Sequence, residues 1–175
     1  MQSFADSLKE IECVILDIDG VLTDGRVGYA ANQEEEVKFF DVKDGHAIKL
    51  MIRAGLRVGM LTGRTSQANR IRARELGADF LYEGEKNKLE AFSRLLQEQQ
   101  LRAEVCLYIG DDLVDLPVMR RCRLAVAVAD AVPEIRQAAD YVTTAAGGRG
   151  AVRELAVKLL RAKGCWDKVT KRYYR

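Results

Sequence analysis

The 175-residue chain contains few of the residues that identify specialised classes of protein. It has two prolines, one histidine and one tryptophan, and no proline-rich or low-complexity linker divides it. No apolar run approaches the ~20 residues that a bilayer span requires, so we expect no membrane partner. The first residues lack a basic segment followed by an apolar stretch, so we expect no secretory signal.

Neither sign of charge dominates the chain. Its 28 Lys and Arg residues oppose 26 acidic residues, and the basic ones are scattered, so we expect no nucleic-acid partner. The four cysteines lie far apart and form no CxxC pair. They indicate unpaired thiols in a reducing compartment, and we therefore expect a cytoplasmic protein. The length and the apolar fraction of 48% favour a single domain, residues 1–175, with a substantial core.

Short apolar segments alternate along the chain with amphipathic ones. The apolar segments are rich in Val, Ile and Leu, which is typical of strands buried on both faces of a parallel sheet. The predicted strands are residues 13–19, 57–61, 79–82, 105–110 and 124–128. The predicted helices are residues 44–54, 66–76, 88–99 and 150–163. This alternation predicts an α/β fold with three layers, in which helices cover a doubly wound, mostly parallel sheet.

One segment departs from this alternation. Residues 26–40 contain two short strand-like pieces around a polar turn, which predicts a projecting β-hairpin. Its apolar Val37, Phe39 and Phe40 favour a contact between copies of the chain. The last residues, KVTKRYYR, are expected to fray.

Polar residues follow the predicted strands at the points where those strands end. In an open α/β sheet, ligands bind beyond the carboxyl ends of the strands, so we expect these residues to converge. They are Asp17 and Asp19 after the first strand, Thr62 after the second, Lys86 and Lys88 after the third, and Asp111, Asp112 and Asp115 after the fourth. Carboxylates at one edge suit Mg²⁺, and Mg²⁺ with a hydroxyl and a lysine suits a phosphate group.

The start of one predicted helix carries an unexpected charge. Asn87 is a predicted N-cap, which places Lys88 in the first helical turn, where a cation is electrostatically unfavourable. A helix N-terminus together with a lysine is nevertheless a strong anion site. Lys88 is therefore the candidate phosphate ligand, with Lys86 as the rival for the same role.

Taken together, the motifs DIDG, LTGR, NK and GDDLVD resemble, in this order, those of haloacid dehalogenase-type phosphohydrolases. The segments FDVKDGHAIK and GGRGAVRE resemble the branch without a cap domain. Those enzymes hydrolyse 3-deoxy-D-manno-octulosonate 8-phosphate or nonulosonate 9-phosphates. The short segment between Asp19 and Thr62 agrees with the lack of a cap. The resemblance implies a homotetramer in which neighbouring subunits cover each other's active sites.

The resemblance also implies a role for each matching residue. Asp17 is the expected nucleophile and forms an aspartyl phosphate. Asp19 is the expected general acid and then base. Thr62, Gly63 and Lys88 are expected to hold the phosphate. A magnesium ion is expected to bind the Asp17 side chain, the Asp19 backbone carbonyl and Asp111.

Other candidate residues have more than one interpretation. Asp112 and Asp115 either reach a metal-bound water, hold Lys88, or cap the following helix. Arg64 binds the substrate carboxylate or pairs with a surface acid, and Arg149 reaches a pocket of its own or of a neighbouring subunit. His46 is more simply a structural residue in a first helical turn than a substrate contact.

The sequence therefore predicts a Mg²⁺-dependent phosphatase acting on a sugar-acid phosphate, with the octulosonate 8-phosphate as the leading substrate. Nonulosonate 9-phosphates are the alternative. A phosphoacceptor module of the receiver type fits less well, because there the acidic pair follows the first strand. A non-enzymatic regulatory relative is a third alternative.

Overall fold

Six short parallel strands form the central sheet of the computed structural model, which describes residues 4–30 and 36–174. The strands of this sheet are β1 (Cys13–Leu16), β4 (Arg57–Leu61), β5 (Phe80–Tyr82), β6 (Cys106–Gly110), β7 (Leu124–Ala127) and β8 (Tyr141–Val142). Two further strands, β2 (Gly28–Tyr29) and β3 (Glu36–Val37), pair with each other. Nearly all residues of β1, β4, β6 and β7 are buried, because helices cover the sheet.

The strand order β5-β4-β1-β6-β7-β8 places the first strand in the middle of the sheet. The chain proceeds from β1 outwards to β5 and then returns across the sheet to β6. Because parallel crossovers are right-handed, this reversal places the connecting helices on opposite faces. The switch point lies between β1 and β6, which is where such folds bind ligands. The prediction of a doubly wound parallel sheet is confirmed.

Eight α-helices occur among the described residues. They are α1 (Phe4–Glu10), α2 (Val42–Arg53), α3 (Gln67–Leu76), α4 (Lys88–Glu98), α5 (Leu116–Met119), α6 (Pro133–Ala138), α7 (Ala151–Ala162) and α8 (Trp166–Thr170). The predicted N-cap Asn87 accepts a hydrogen bond from the Glu90 backbone N–H at 3.3 Å. In the part of the chain that the structure describes, no helix has the length and apolar character needed to cross a membrane.

The hairpin is shorter than the sequence suggests. Its strands pair Gly28 with Val37 and Tyr29 with Glu36. The residues 31–35 of the predicted turn lie outside the described residues. Among the described residues between β1 and β4, this hairpin and α2 are the only helix and strands, as expected of a fold without a cap domain.

The predicted end of the first strand was wrong. The first strand ends at Leu16, so Asp17 and Asp19 do not extend it. The backbone turns after Asp17, and the amides of Val21 and Leu22 donate to the Ile18 carbonyl at 3.3 and 2.9 Å. Asp19 therefore lies in a turn and not in the strand, although it lines the same cleft as Asp17, described below.

The C-terminal residues also differ from the frayed end that was predicted. Helix α8 and the 3₁₀ turn Lys171–Tyr174 dock against α2. Arg53 donates at 3.2 Å to both the Val169 carbonyl and the Tyr173 hydroxyl, and His46 Nε2 lies 2.8 Å from that hydroxyl. His46 therefore has a structural partner and does not line the cleft described below.

A buried carboxylate joins α2 to α7. Asp44 accepts hydrogen bonds from the backbone N–H groups of Gly150 at 3.1 Å and Arg153 at 2.7 Å. These are N-terminal amides of α7, which lack partners within the helix. Burial raises the pKa of Asp44, and the two amides oppose that shift by stabilising the charged form.

We predict that Asp44→Ala lowers the free energy of unfolding by about 1–3 kcal/mol, because two helix amides are left buried without an acceptor. Urea unfolding followed by circular dichroism measures the change. Glu134→Ala, an exposed acid in the first turn of α6, is the matched control and is expected to change stability little. Equal stability of Asp44→Ala and the parent chain would contradict this account of α7.

Candidate active site

Eight of the ten predicted site residues line one cleft of about 360 Å³ at the carboxyl edge of the sheet. They are Asp17, Asp19, Thr62, Gly63, Arg64, Lys88, Asp111 and Asp112. The strands position them, because β1, β4 and β6 are neighbours: Leu16, the last residue of β1, pairs with Met60 and Ile109, each one residue before the end of its strand. Gly25 and Val114 also line the cleft and were not predicted.

Asp17 is the most enclosed acid of the cleft, with 4% of its surface exposed. Its Oδ1 accepts a hydrogen bond from the Ile18 N–H at 2.7 Å, and its Oδ2 lies 2.8 Å from the Lys88 ammonium. The pKa of Asp17 is raised to about 7, first by burial and then by the negative charge of Asp115, although Lys88 opposes the shift.

Lys88 lies between two buried carboxylates. Its Nζ contacts Asp17 at 2.8 Å and Asp115 at 2.6 Å, and it donates to the Tyr108 hydroxyl at 3.3 Å. Burial alone would lower the pKa of Lys88, but the two carboxylates raise it above its ordinary value and keep the ammonium charged. Lys86, the rival candidate, is exposed and does not line the cleft.

Asp115 is fully buried and accepts hydrogen bonds from four groups around the cleft. Its Oδ1 accepts hydrogen bonds from Lys88 and from the Tyr108 hydroxyl, both at 2.6 Å. Its Oδ2 accepts the backbone amides of Asp111 at 2.9 Å and Asp112 at 3.3 Å. Asp115 thus both holds Lys88 and forms a capping box with Asp112, two of the roles left open by the sequence.

Carboxylate oxygens of Asp17, Asp111 and Asp115 lie within 4.8 Å of one another. Each Asp115 oxygen already accepts two hydrogen bonds, whereas each Asp17 oxygen has one partner, so Asp17 and Asp111 are the acids with lone pairs left for a ligand. The pKa of Asp111 is raised to about 8, first by burial and then by the charge of Asp17. Two carboxylates that repel each other in a half-enclosed cleft fit a hard divalent cation that prefers oxygen ligands.

Glycines bring the backbone close to this cation site. Gly20 has a positive φ of 86°, and a Cβ there would collide with the Asp111 carboxylate. A Cβ at Gly147 or Gly148 would collide with the backbone of the 20–24 loop. The Gly148 N–H also donates to the Val21 carbonyl at 2.9 Å. The glycine-rich motif at 147–150 therefore packs on the backbone of the 20–24 loop.

Arg149 does not line the cleft. Its guanidinium lies 3.4 Å from Asp24 Oδ2 at a separate depression of about 170 Å³ beside Phe39 and Phe40. Arg64 does line the cleft, and its guanidinium contacts Glu36 of the hairpin and, at 3.5 Å, the Tyr29 hydroxyl. Contact of either arginine with a substrate stays a prediction.

Lys38 was not among the predicted site residues. The side chain of this hairpin lysine is fully buried, and its Nζ lies 2.7 and 2.9 Å from the two carboxylate oxygens of Asp19. The sequence did contain a signal for this position, because polar and apolar residues alternate from Glu36 to Phe39. Because successive side chains of an extended segment face opposite sides, a buried Lys38 leaves Val37 and Phe39 exposed, the reverse of the usual pattern.

Comparison with known proteins agrees with this geometry. A model of haloacid dehalogenase-like hydrolases matches residues 77–155. The chain is 47% identical over 159 residues, 91% of its length, to a curated relative from Escherichia coli K12 that it covers to 84%. The chain belongs to the haloacid dehalogenase-like hydrolase family.

Within this family, that Escherichia coli relative is 3-deoxy-D-manno-octulosonate 8-phosphate phosphatase KdsC. A Moraxella catarrhalis phosphatase of the same name, solved with magnesium, phosphate and KDO, superposes with a TM-score of 0.92 at 33% identity, with 97% of each chain covered. The cobalt-bound Haemophilus influenzae phosphatase gives 0.86 at 42% identity, covering 90% of this chain and 92% of the other.

We predict that Mg²⁺ stabilises the protein in a pH-dependent manner. Asp17 and Asp111 bind protons more tightly in the folded chain than in the unfolded chain, so the metal-free protein loses stability as the pH rises from about 4 to about 8. At pH 8, Mg²⁺ at about 100 times its dissociation constant adds about 2.7 kcal/mol, or about 5–10 °C in Tm. At pH 5 the gain is small.

Thermal unfolding by differential scanning fluorimetry measures both effects. Asp111→Asn is the informative variant, since it removes the repulsion and a ligand together. It is expected to raise the Tm of the metal-free protein at pH 8 and to abolish the response to Mg²⁺. An equal response to Mg²⁺ at both pH values, or in the variant, would rule out this cation site.

Proposed function

We propose that this chain is a magnesium-dependent phosphatase that hydrolyses 3-deoxy-D-manno-octulosonate 8-phosphate to the free sugar acid and phosphate. The observation that carries the proposal is the juxtaposition of buried Asp17, its partner Lys88 and the free carboxylate of Asp111 in one cleft. The identity to the Escherichia coli phosphatase supports the choice of substrate.

In the proposed reaction, Asp17 is the nucleophile. An oxygen of its carboxylate forms a bond to phosphorus while the ester P–O bond breaks, and the departing sugar oxygen takes a proton from Asp19. Water then attacks the aspartyl phosphate and gives its proton to Asp19, which releases phosphate and restores Asp17. The N–H of Ile18 and the Lys88 ammonium hold the Asp17 carboxylate in position for this attack.

Asp17, Asp111 and the backbone carbonyl of Asp19 are the proposed ligands of the magnesium ion. When bound, the ion supplies positive charge that allows an anionic phosphate to approach Asp17. Thr62 is 1% exposed at the wall of the cleft and, with the adjacent Gly63, is placed to hold phosphoryl oxygens. Lys88 shares this role, since its charge faces the same space.

The cleft offers fewer candidate contacts for the sugar than for the phosphate. Arg64, on the rim of the cleft, is the proposed partner of the sugar carboxylate, because its planar guanidinium can bind a carboxylate through two hydrogen bonds. Nonulosonate 9-phosphates carry the same carboxylate and remain the second candidate substrate. We also propose a cytoplasmic location, which suits four cysteines that form no disulfide.

We predict that the purified protein with Mg²⁺ releases phosphate from the eight-carbon sugar-acid phosphate over many turnovers, and far more slowly from nine-carbon analogues. Asp17→Asn is expected to lower kcat by about 10³-fold or more, because the nucleophile is lost. Asp167→Asn, an exposed acid on α8, is the matched control. A malachite-green phosphate assay measures turnover, and chelation of the metal is expected to abolish it.

Other outcomes of this assay select the alternatives. A preference for nine-carbon phosphates would replace the octulosonate by a nonulosonate. Release of no more than one phosphate per chain would favour a phosphoacceptor or regulatory protein over an enzyme.

We propose further that copies of this chain form a homotetramer through the hairpin patch, defined as Tyr29, Val37, Phe39 and Val42. All four side chains are exposed, Phe39 to 79% and Val42 to 81%. Exposed apolar side chains of this size, carried here by the short hairpin and by the first residue of α2, are typical of an interface between proteins. The patch adjoins the mouth of the cleft through Lys38 and Arg64, so a neighbouring subunit would help to enclose it.

We predict that Phe39→Asp combined with Val42→Asp dissociates the tetramer, because two carboxylates would be buried without partners. Size-exclusion chromatography with light scattering measures the mass. Ile71→Asp, which places the same charge on an exposed apolar residue of α3, is the control and is expected to leave the mass unchanged. A monomeric parent chain would disprove the assembly.

A further inference from the structure

Lys38 occupies an unusual position for a lysine. Its side chain is fully buried although it belongs to a hairpin with two-residue strands, outside the main sheet. Burying an ammonium group is costly unless a charged partner compensates for the lost water. The compensation comes from Asp19, whose two oxygens lie 2.7 and 2.9 Å from the Lys38 Nζ.

This contact is more than a general stabilising ion pair. The net contribution of a buried salt bridge to folding is often near zero, because desolvation offsets the attraction. What a contact to both oxygens does supply is orientation, since it restricts the rotation of the carboxyl group. Among the described residues no other group donates a hydrogen bond to the Asp19 carboxylate, so Lys38 alone sets its direction.

The hairpin holds Lys38 in place from the other side. Glu36 Oε2 lies 3.7 Å from the Lys38 Nζ, and the same carboxylate contacts Arg64 on the rim of the cleft. Both acids contact the same atom, so the Lys38 ammonium is held between Asp19 and Glu36. Because the side chain is buried and its ammonium is held, Lys38 can act as a rigid spacer between the hairpin and Asp19.

We propose that Lys38 is a positioning residue for proton transfer, which holds the Asp19 carboxyl group against the leaving-group oxygen. This inference rests on the proposed role of Asp19 as general acid. In the step concerned, the Asp17–phosphorus bond forms, the ester P–O bond breaks, and the proton moves from Asp19 to the departing oxygen. Lys38 keeps its own protons and afterwards faces the carboxylate that remains.

Two substrates of similar size distinguish this role from a structural one. Benzyl phosphate releases a poor leaving group that needs a proton, whereas p-nitrophenyl phosphate releases a stable anion that does not. The parameter kcat/KM reports steps up to the first irreversible one, which is departure of the leaving group. We predict that Lys38→Met lowers kcat/KM by about 10²-fold for benzyl phosphate and by less than about 3-fold for p-nitrophenyl phosphate.

The ratio of the two kcat/KM values is the decisive readout. Both substrates are measured on one preparation, so any loss of folded protein cancels in the ratio. Lys38→Arg is expected to restore most of the parent ratio, because a guanidinium can also contact both oxygens of Asp19. Lys49→Met, at an exposed lysine of α2, is the matched control and is expected to keep the parent ratio.

Asp19→Asn separates failure of this inference from failure of the proposed function. If Asp19→Asn shows the selective loss and Lys38→Met keeps the parent ratio, the positioning role is overturned while the phosphatase stands. An equal loss with both substrates in Lys38→Met would also overturn it. If the parent chain releases no phosphate from octulosonate 8-phosphate, or Asp17→Asn is as active on it as the parent, the proposed function itself fails.

Discussion

The burial of two carboxylates within reach of one lysine is the constraint on which the rest of the site depends. Asp17 and Asp115 would repel each other in a nearly dry environment, and Lys88 between them compensates for that repulsion. The three residues come from the end of β1, the start of α4 and the turn after β6. The fold must therefore bring the N-terminus of α4 to the carboxyl edge of the sheet, where its dipole and Lys88 together offset the negative charge of the two acids.

Besides this balance of charges, the site depends on glycines that let backbone segments lie close together. Gly20 leaves room for the Asp111 carboxylate, and Gly147 and Gly148 press the loop before α7 onto the backbone of the 20–24 loop. Asp44 then fastens the start of α7 to α2. The 20–24 loop is thus held on several sides by backbone contacts, which suits the proposed reaction, whose rate depends on orientation. The hairpin adds a further restraint, because its Lys38 contacts the Asp19 carboxylate.

Much of the fold and of the cleft was predictable from local patterns. The five longer strands and four main helices followed from apolar periodicity, and α4 begins at the predicted cap Asn87. Parallel strands end at one edge, so the polar residues after β1, β4 and β6 had to converge there. The prediction was wrong where long-range contacts decided the structure. The tail docks because Tyr173 finds partners on α2 that are more than one hundred residues distant in sequence.

By itself, the amino-acid sequence determined the layered sheet, the edge at which the acids gather and the family resemblance, because these depend on periodicity and on spacing between neighbours along the chain. Only the tertiary structure decided which lysine enters the cleft, what Asp115 binds, and that Lys38 faces Asp19. Those choices depend on which side chains share a buried, low-dielectric space. Such a space forms only when segments distant in sequence pack together, and no local pattern specifies its members.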